Sequence, residues 1–126
     1  MKKIIIVEDD AVVGLVYRTG LAKEGFDVEV ATDGAAGLLR IQETCPAGVL
    51  LDLMLPKMSG VEVLKKMRVQ PQLAKIPVMV LTNAFVPEMI NGAMAAGATK
   101  VFSKAQITPQ AIIEALKDAG CFARDD

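Results

Sequence analysis

The feature that most constrains this chain is an alternation: short apolar runs take turns with helix-length amphipathic segments along its whole length. The runs predict strands over Lys3–Val7, Asp27–Ala31, Gly48–Leu53, Pro77–Leu81 and Thr99–Ser103. The segments between them predict helices near Ala11–Glu24, Ala35–Glu43, Val61–Val69, Pro87–Ala96 and Pro109–Ala119. Parallel strands need a long crossover and a helix is the usual one, so strict alternation implies βαβ units and a parallel sheet. A length of 126 residues suits one domain over residues 1–126, with its core over about 3–119 and a short tail over 121–126. A hydrophobic content of 52% is enough to cover both faces of such a sheet.

Local signals support the helices. Val13, Val16, Tyr17 and Leu21 recur on one helical face. Ser59 with Glu62 three residues on makes a capping box, and Thr108-Pro109 reads as an N-cap followed by proline at the first helical position. Gly25, Gly97 and Gly120 fall where helix C-caps belong.

The strands differ among themselves. Ile4-Ile5-Ile6-Val7, Val49-Leu50-Leu51 and Val78-Met79-Val80-Leu81 are unbroken apolar runs, as strands covered on both faces require. Phe26-Asp27-Val28-Glu29-Val30 alternates apolar and charged residues, which suits an edge. A strand order of 2-1-3-4-5 places the second strand at an edge and the first beside the third.

Composition removes whole classes of chemistry. There is no histidine, which excludes Ser-His-Asp and Cys-His nucleophiles, His-ligated zinc and a histidine kinase within these residues. Cys45 and Cys121 are far apart and form no metal or redox motif, so they read as buried or tolerated thiols. The formal net charge of −1 and the lack of a basic stripe speak against direct nucleic-acid binding. No apolar run is long enough to span a membrane, and the charged, then apolar, then acidic N-terminus reads as a strand of a cytoplasmic protein rather than as a signal peptide. What remains for chemistry is carboxylates, lysine and hydroxyls, with any metal a hard, oxygen-bound one.

In open α/β sheets the site lies beyond the C-terminal strand ends, where the strand order reverses. The first strand runs into Glu8-Asp9-Asp10, the third ends at Asp52, the fourth at Thr82-Asn83 and the fifth at Ser103-Lys104. Carboxylates about 4 Å apart repel by roughly 4 kcal/mol at an effective dielectric near 20, so such a rim takes up a proton or a cation. Mg²⁺ fits oxygen ligands of this kind, and a metal-bound carboxylate beside Lys104 and Thr82 suits phosphoryl acceptance. Taken singly, these residues have plainer readings. Asp10 is an N-cap, Glu8 and Asp9 suit helix-dipole acids, and Asp52 suits a strand-end turn. Thr82 suits a cap or a strand, Lys104 a snorkelling strand end, and the methionines core filler. The joint placement at the strand ends points to a site.

From Lys3 to about Ala119 the sequence resembles the receiver domains of bacterial response regulators. Leu51-Asp52-Leu53-Met54-Leu55-Pro56-Lys57-Met58-Ser59-Gly60 looks like that family's phosphoacceptor strand and loop, and Val7-Glu8-Asp9-Asp10 like its acidic strand end. Leu81-Thr82-Asn83-Ala84 and Phe102-Ser103-Lys104 match its hydroxyl and lysine positions. The intervals are 43 residues from Asp9 to Asp52, 30 to Thr82 and 22 to Lys104. The resemblance implies a flavodoxin-like (βα)5 three-layer sandwich. It implies a signalling domain rather than a turnover enzyme, with Asp52 phosphorylated by a sensor histidine kinase or a His-phosphotransfer protein. It implies Mg²⁺ held by Glu8, Asp9, Asp52 and the Met54 backbone carbonyl, and phosphoryl oxygens bound by Thr82 and Lys104. It also implies an output protein or domain that reads the face made by the fourth helix, fifth strand and fifth helix.

Three positions depart from the family pattern. Asn83 stands where a small residue is usual, Val101 where an aromatic switch residue is usual, and Ala105 where a proline with a cis bond is common. With alanine there, a trans bond after Lys104 is expected. Met54 and Ala84, two residues past Asp52 and Thr82, carry no polar group to orient a water, which implies slow loss of the phosphoryl group. A divergent receiver acting as an unphosphorylated docking module is the alternative. A phosphohydrolase fits poorly, because its nucleophile belongs in an Asp-x-Asp pair after the first strand. A nucleotide or flavin binder lacks the Gly-rich loop it needs. The ending Cys121-Phe122-Ala123-Arg124-Asp125-Asp126 fits a stand-alone regulator and a piece of a longer protein equally.

Overall fold

A computed structural model of the chain describes residues 2–122. The strands are β1 (Lys3–Val7), β2 (Asp27–Ala31), β3 (Gly48–Asp52), β4 (Val78–Thr82) and β5 (Lys100–Ser103). The helices are α1 (Ala11–Glu24), α2 (Gly34–Thr44), α3 (Gly60–Arg68), α4 (Pro87–Ala96) and α5 (Pro109–Asp118). Every strand pairing is parallel and the order is β2-β1-β3-β4-β5. The fold is therefore the expected (βα)5 sandwich.

Period-two alternation sorts the strand residues between two cores. Ile5, Val7, Val49, Leu51, Val78 and Val80 pack with Leu38 and Ile41 of α2, Val63, Leu64 and Met67 of α3, and Ala93 and Ala96 of α4. Ile4, Ile6, Leu50, Met79 and Leu81 pack on the other side with Tyr17 and Leu21 of α1 and Ile112, Ile113 and Leu116 of α5. Strands β3 and β4 are buried along their whole length, as their unbroken apolar runs predict. The edge strand β2 keeps its charged residues half-buried and paired. Lys3 on β1 reaches Asp27 and Glu29 at 3.2 and 3.3 Å, and Arg40 of α2 reaches Glu29 at 2.6 Å.

The helix ends match the caps read from sequence, with two adjustments. Asp10, Ser59 and Thr108 each accept backbone N–H groups of the helix they open. At Ser59 only the forward half of the capping box forms, from Glu62 N–H to Ser59 Oγ. Gly25 and Gly97 are left-handed C-caps, whereas Gly120 lies one residue past the Ala119 cap of α5. Of the tail expected over 121–126, Ala123 to Asp126 lie outside the described residues. Cys121 is buried and belongs to the core, and Cys45 is exposed. The Lys104–Ala105 bond is trans, as are the other described peptide bonds. No helix among the described residues is long and apolar enough to cross a membrane.

Two features of this frame shape the C-terminal rim of the sheet. The chain leaves β1 outward to β2 and returns to β3, so the crossovers diverge between β1 and β3 and open a crevice at their C-terminal ends. The connection from β3 to α3 is drawn tight: Gly60 N–H donates to Leu53 O at 3.0 Å, and a Cβ on Gly60 would stand 2.4 Å from Asp52 O and 2.7 Å from Leu53 Cα. Those are backbone atoms and cannot swing aside. Gly60→Ala is therefore expected to cost about 1–3 kcal/mol of stability. Urea unfolding reads this directly, and an unchanged midpoint would contradict the tight approach.

Candidate functional site

The crevice between β1 and β3 collects the strand-end residues. Glu8 comes directly after β1, and its N–H donates to Ala31 O at 2.9 Å, which extends the ladder to β2 by one bond. Its side chain is 2% exposed. Asp9 is exposed at the mouth. Asp10 turns away and caps α1, accepting from Val12 N–H at 2.9 Å and Val13 N–H at 3.1 Å. Asp52 closes β3 and is buried; Met54 N–H donates to its Oδ1 at 3.1 Å, and Lys104 Nζ to its Oδ2 at 2.9 Å. Lys104, just past β5, also stands 2.5 Å from Glu8 Oε1. One carboxylate oxygen from each of Glu8, Asp9 and Asp52 lies within 4.8 Å of the others.

The remaining candidates sit around this cluster. Thr82 ends β4 one residue past Leu81, the register partner of Asp52, and is fully buried. Its hydroxyl accepts Ala84 N–H at 3.0 Å, so it is engaged with its own loop, while its carbonyl accepts Lys104 N–H at 2.9 Å. Met54 enters the site through its backbone N–H, and its side chain is exposed. Asn83 and Ala105 are exposed, and Val101 is half-buried.

Three charged side chains taken from water at one strand-end rim are tolerable only as a set. Burial, and then the neighbouring Asp52, push the Glu8 carboxyl up to about 7 against the opposing pull of Lys104. Burial alone would lower the Lys104 ammonium; Glu8 and Asp52 outweigh it and hold it above its usual value. The contact between Lys104 and Glu8 has the distance of an ion pair without hydrogen-bond geometry, and both Glu8 oxygens are buried without a hydrogen-bond partner. Such oxygens beside two more carboxylates are a donor set for a hard divalent cation.

Sequence reasoning missed Tyr17. Its helical spacing marks it only as core, yet its phenol, raised first by burial, also feels the Glu8 carboxylate and the Lys104 ammonium. The available signal was its place on the inward face of the helix that opens at the acidic strand end. Gly60 was likewise read only as part of a motif, since its close approach to the Asp52 carbonyl is a tertiary contact.

The raised Glu8 pKa has a definite sign in stability. The folded state keeps a proton on Glu8 in a range where the unfolded chain, near 4.5, has released it. That contribution is complete below about 4.5 and is lost as pH rises through about 7. In chelator, stability from this group is expected to fall between about pH 5 and 8, and Glu8→Gln to flatten the profile. Urea midpoints across that range check it, and equal slopes for the two proteins would contradict it.

Known proteins resemble this chain in sequence and in fold. The family profile described as the response regulator receiver domain matches residues 4–117. The phosphate regulon transcriptional regulatory protein PhoB of Rhizobium meliloti is 33% identical over 111 residues, covering 87% of this chain and 48% of that protein. The chain thus spans about half the length of that relative. Among solved structures, the chemotaxis response regulator CheY4 of Vibrio cholerae superposes with a TM-score of 0.87 at 28% identity, covering 94% of this chain and 98% of that one. The Mn²⁺-bound form of the response regulator Rcp1 superposes with a TM-score of 0.76 at 26% identity, covering 94% and 89%. The strand order, the rim carboxylates and the match over most of its length together make this chain a member of the response regulator receiver family of two-component signalling.

Proposed function

We propose that this chain is a phosphoacceptor switch in which Asp52 takes a phosphoryl group from a phosphohistidine of a sensor kinase or phosphotransfer protein. A carboxylate oxygen of Asp52 forms the new bond to phosphorus as the phosphorus–nitrogen bond of the donor breaks. The electron pair of that bond stays on the donor imidazole, which takes a proton from water. Asp52 carries the proposal: it is a carboxylate buried at a strand end, with its two oxygens held by Met54 N–H and the Lys104 ammonium. That grip orients the nucleophile, and the ammonium is in place to balance charge as the three phosphoryl oxygens arrive.

Glu8, Asp9 and Asp52, with the Met54 carbonyl, would hold Mg²⁺. The Glu8 oxygens, buried without a hydrogen-bond partner, support this, as does the metal bound by the similar regulator Rcp1. Bound there, Mg²⁺ supplies positive charge that neutralises the phosphoryl oxygens. Thr82 would give up its bond from Ala84 N–H and turn its hydroxyl to the phosphoryl group, passing the change to the α4–β5–α5 face read by an output protein or domain. Residues 1–126 would work as one receiver unit in the cytoplasm. Neither a membrane nor nucleic acid is a direct partner in this reading.

Acetyl phosphate with Mg²⁺ is expected to add a single phosphoryl group, seen by intact mass, and Asp52→Ala or a chelator to abolish it. Failure to label with acetyl phosphate or with phosphorylated donor proteins would favour a docking module that is never phosphorylated.

The lifetime of the adduct is a separate expectation. Met54 and Ala84 are exposed beside the site and offer no polar side chain to orient a water, so hydrolysis should be slow. Decay of the adduct mass within seconds would contradict this.

A further inference from the structure

Helix α4 is built unevenly. Its C-terminal half is anchored: Ala93 and Ala96 are buried, and Gly97 caps the helix at φ +112°. Arg68 at the end of α3 donates from Nε and Nη2 to Gly97 O at 3.0 and 2.8 Å, and from Nη1 to Leu73 O at 3.1 Å. One guanidinium thus stitches the end of α3, the connection after it and the end of α4. A Cβ on Gly97 would lie 2.6 Å from Arg68 Cγ, so the close approach and the left-handed φ both select glycine.

The N-terminal half has no side-chain hydrogen bond of this kind among the described residues, and it meets the core through the half-buried Met89. Val86 at the N-cap gives no side-chain bond, and Pro87 occupies the first turn. Pro87, Glu88 and Asn91 are exposed, and Met89 and Ile90 half-buried. Between the halves stands Gly92, exposed, with nothing within 4 Å of where its Cβ would be. Packing does not require glycine there, and its effect is to loosen the helix backbone.

We propose that α4 is a two-part lever, with a C-terminal half pinned by Arg68, a moving N-terminal half, and Gly92 as the joint. The moving end is wired to Thr82. Ala84 N–H donates to Thr82 Oγ at 3.0 Å, and Val86 N–H donates to Ala84 O at 2.9 Å. Turning the Thr82 hydroxyl away frees Ala84 and then the N-cap; this coupling rests on the phosphoacceptor reading. Phe85, on the moving end, lines a cavity of about 250 Å³ with Val101, Phe102 and Ile107. Movement of this end therefore reshapes that surface without a swing of residue 101.

Residue-resolved amide exchange on the full chain tests the lever, with wild type, Gly92→Ala and Arg68→Lys measured before and after acetyl phosphate and Mg²⁺. Without the donor, Ile90 and Asn91 should exchange faster than Met94 to Gly97. Gly92→Ala should slow that first group about fivefold, the glycine-to-alanine helix difference read as an equilibrium constant. Arg68→Lys should speed only the second group. With the donor, the wild-type change should stop at Gly92, and Gly92→Ala should shrink it. Uniform exchange along α4, or an undiminished change in Gly92→Ala, would overturn the lever. Intact mass of the same samples separates the two ideas: a missing adduct overturns the phosphoacceptor reading, while the donor-free gradient still decides the joint.

Discussion

The arrangement at the rim depends on one ammonium group. Lys104 Nζ reaches Asp52 at 2.9 Å and Glu8 at 2.5 Å, and so joins the ends of β1, β3 and β5. Without it, two carboxylates would share a buried crevice with no countercharge, and the Glu8 carboxyl, already raised, would hold its proton further up the pH range. With it, the cluster still carries more negative than positive charge, because Asp9 stands at the mouth. The rim is held together and left short of positive charge at the same time. That imbalance suits a site that takes up a cation and then an anionic group in turn.

Parallel pairing makes such a cluster possible. All five strands point the same way, so residues 44 apart in the chain, such as Glu8 and Asp52, come to one edge. The two helical layers seal both faces, and the crevice opens where the strands end. The same geometry sends the ends of α3 and α4 to the opposite edge of the sheet, where Arg68 binds carbonyl oxygens instead of carboxylates. The rim holds its charges in tension, whereas Arg68 at the opposite edge is held by neutral acceptors.

Much of this was legible in the sequence because it is local or periodic. The run Ile4-Ile5-Ile6-Val7 announces a strand covered on both sides, and the charges of Asp27 and Glu29 announce an edge. The site was legible because, once the strands are parallel, the residues at each strand's C-terminal end must share one rim. The strand limits were less so. The apolar run of β3 continues to Leu53, but the strand ends at Asp52; Leu53 stays buried in the loop and donates its N–H to Leu81 O. Ser59 and Glu62 have the right spacing for a reciprocal box, yet only one bond forms, since spacing does not decide where an exposed glutamate points. Arg68 was illegible altogether, because its acceptor on Gly97 lies 29 residues away and no short pattern marks the pair.

The placement of Tyr17 has a consequence of another kind. It is the single tyrosine of a chain that has no tryptophan. It is buried on α1, where the charges of Glu8 and Lys104 reach its phenol. The natural ultraviolet emission of the protein, to which its four phenylalanines add little, is therefore dominated by one ring beside the acidic crevice. A change of charge in that crevice, the uptake of a cation included, would act on that ring directly, with no dye or engineered fluorophore in between.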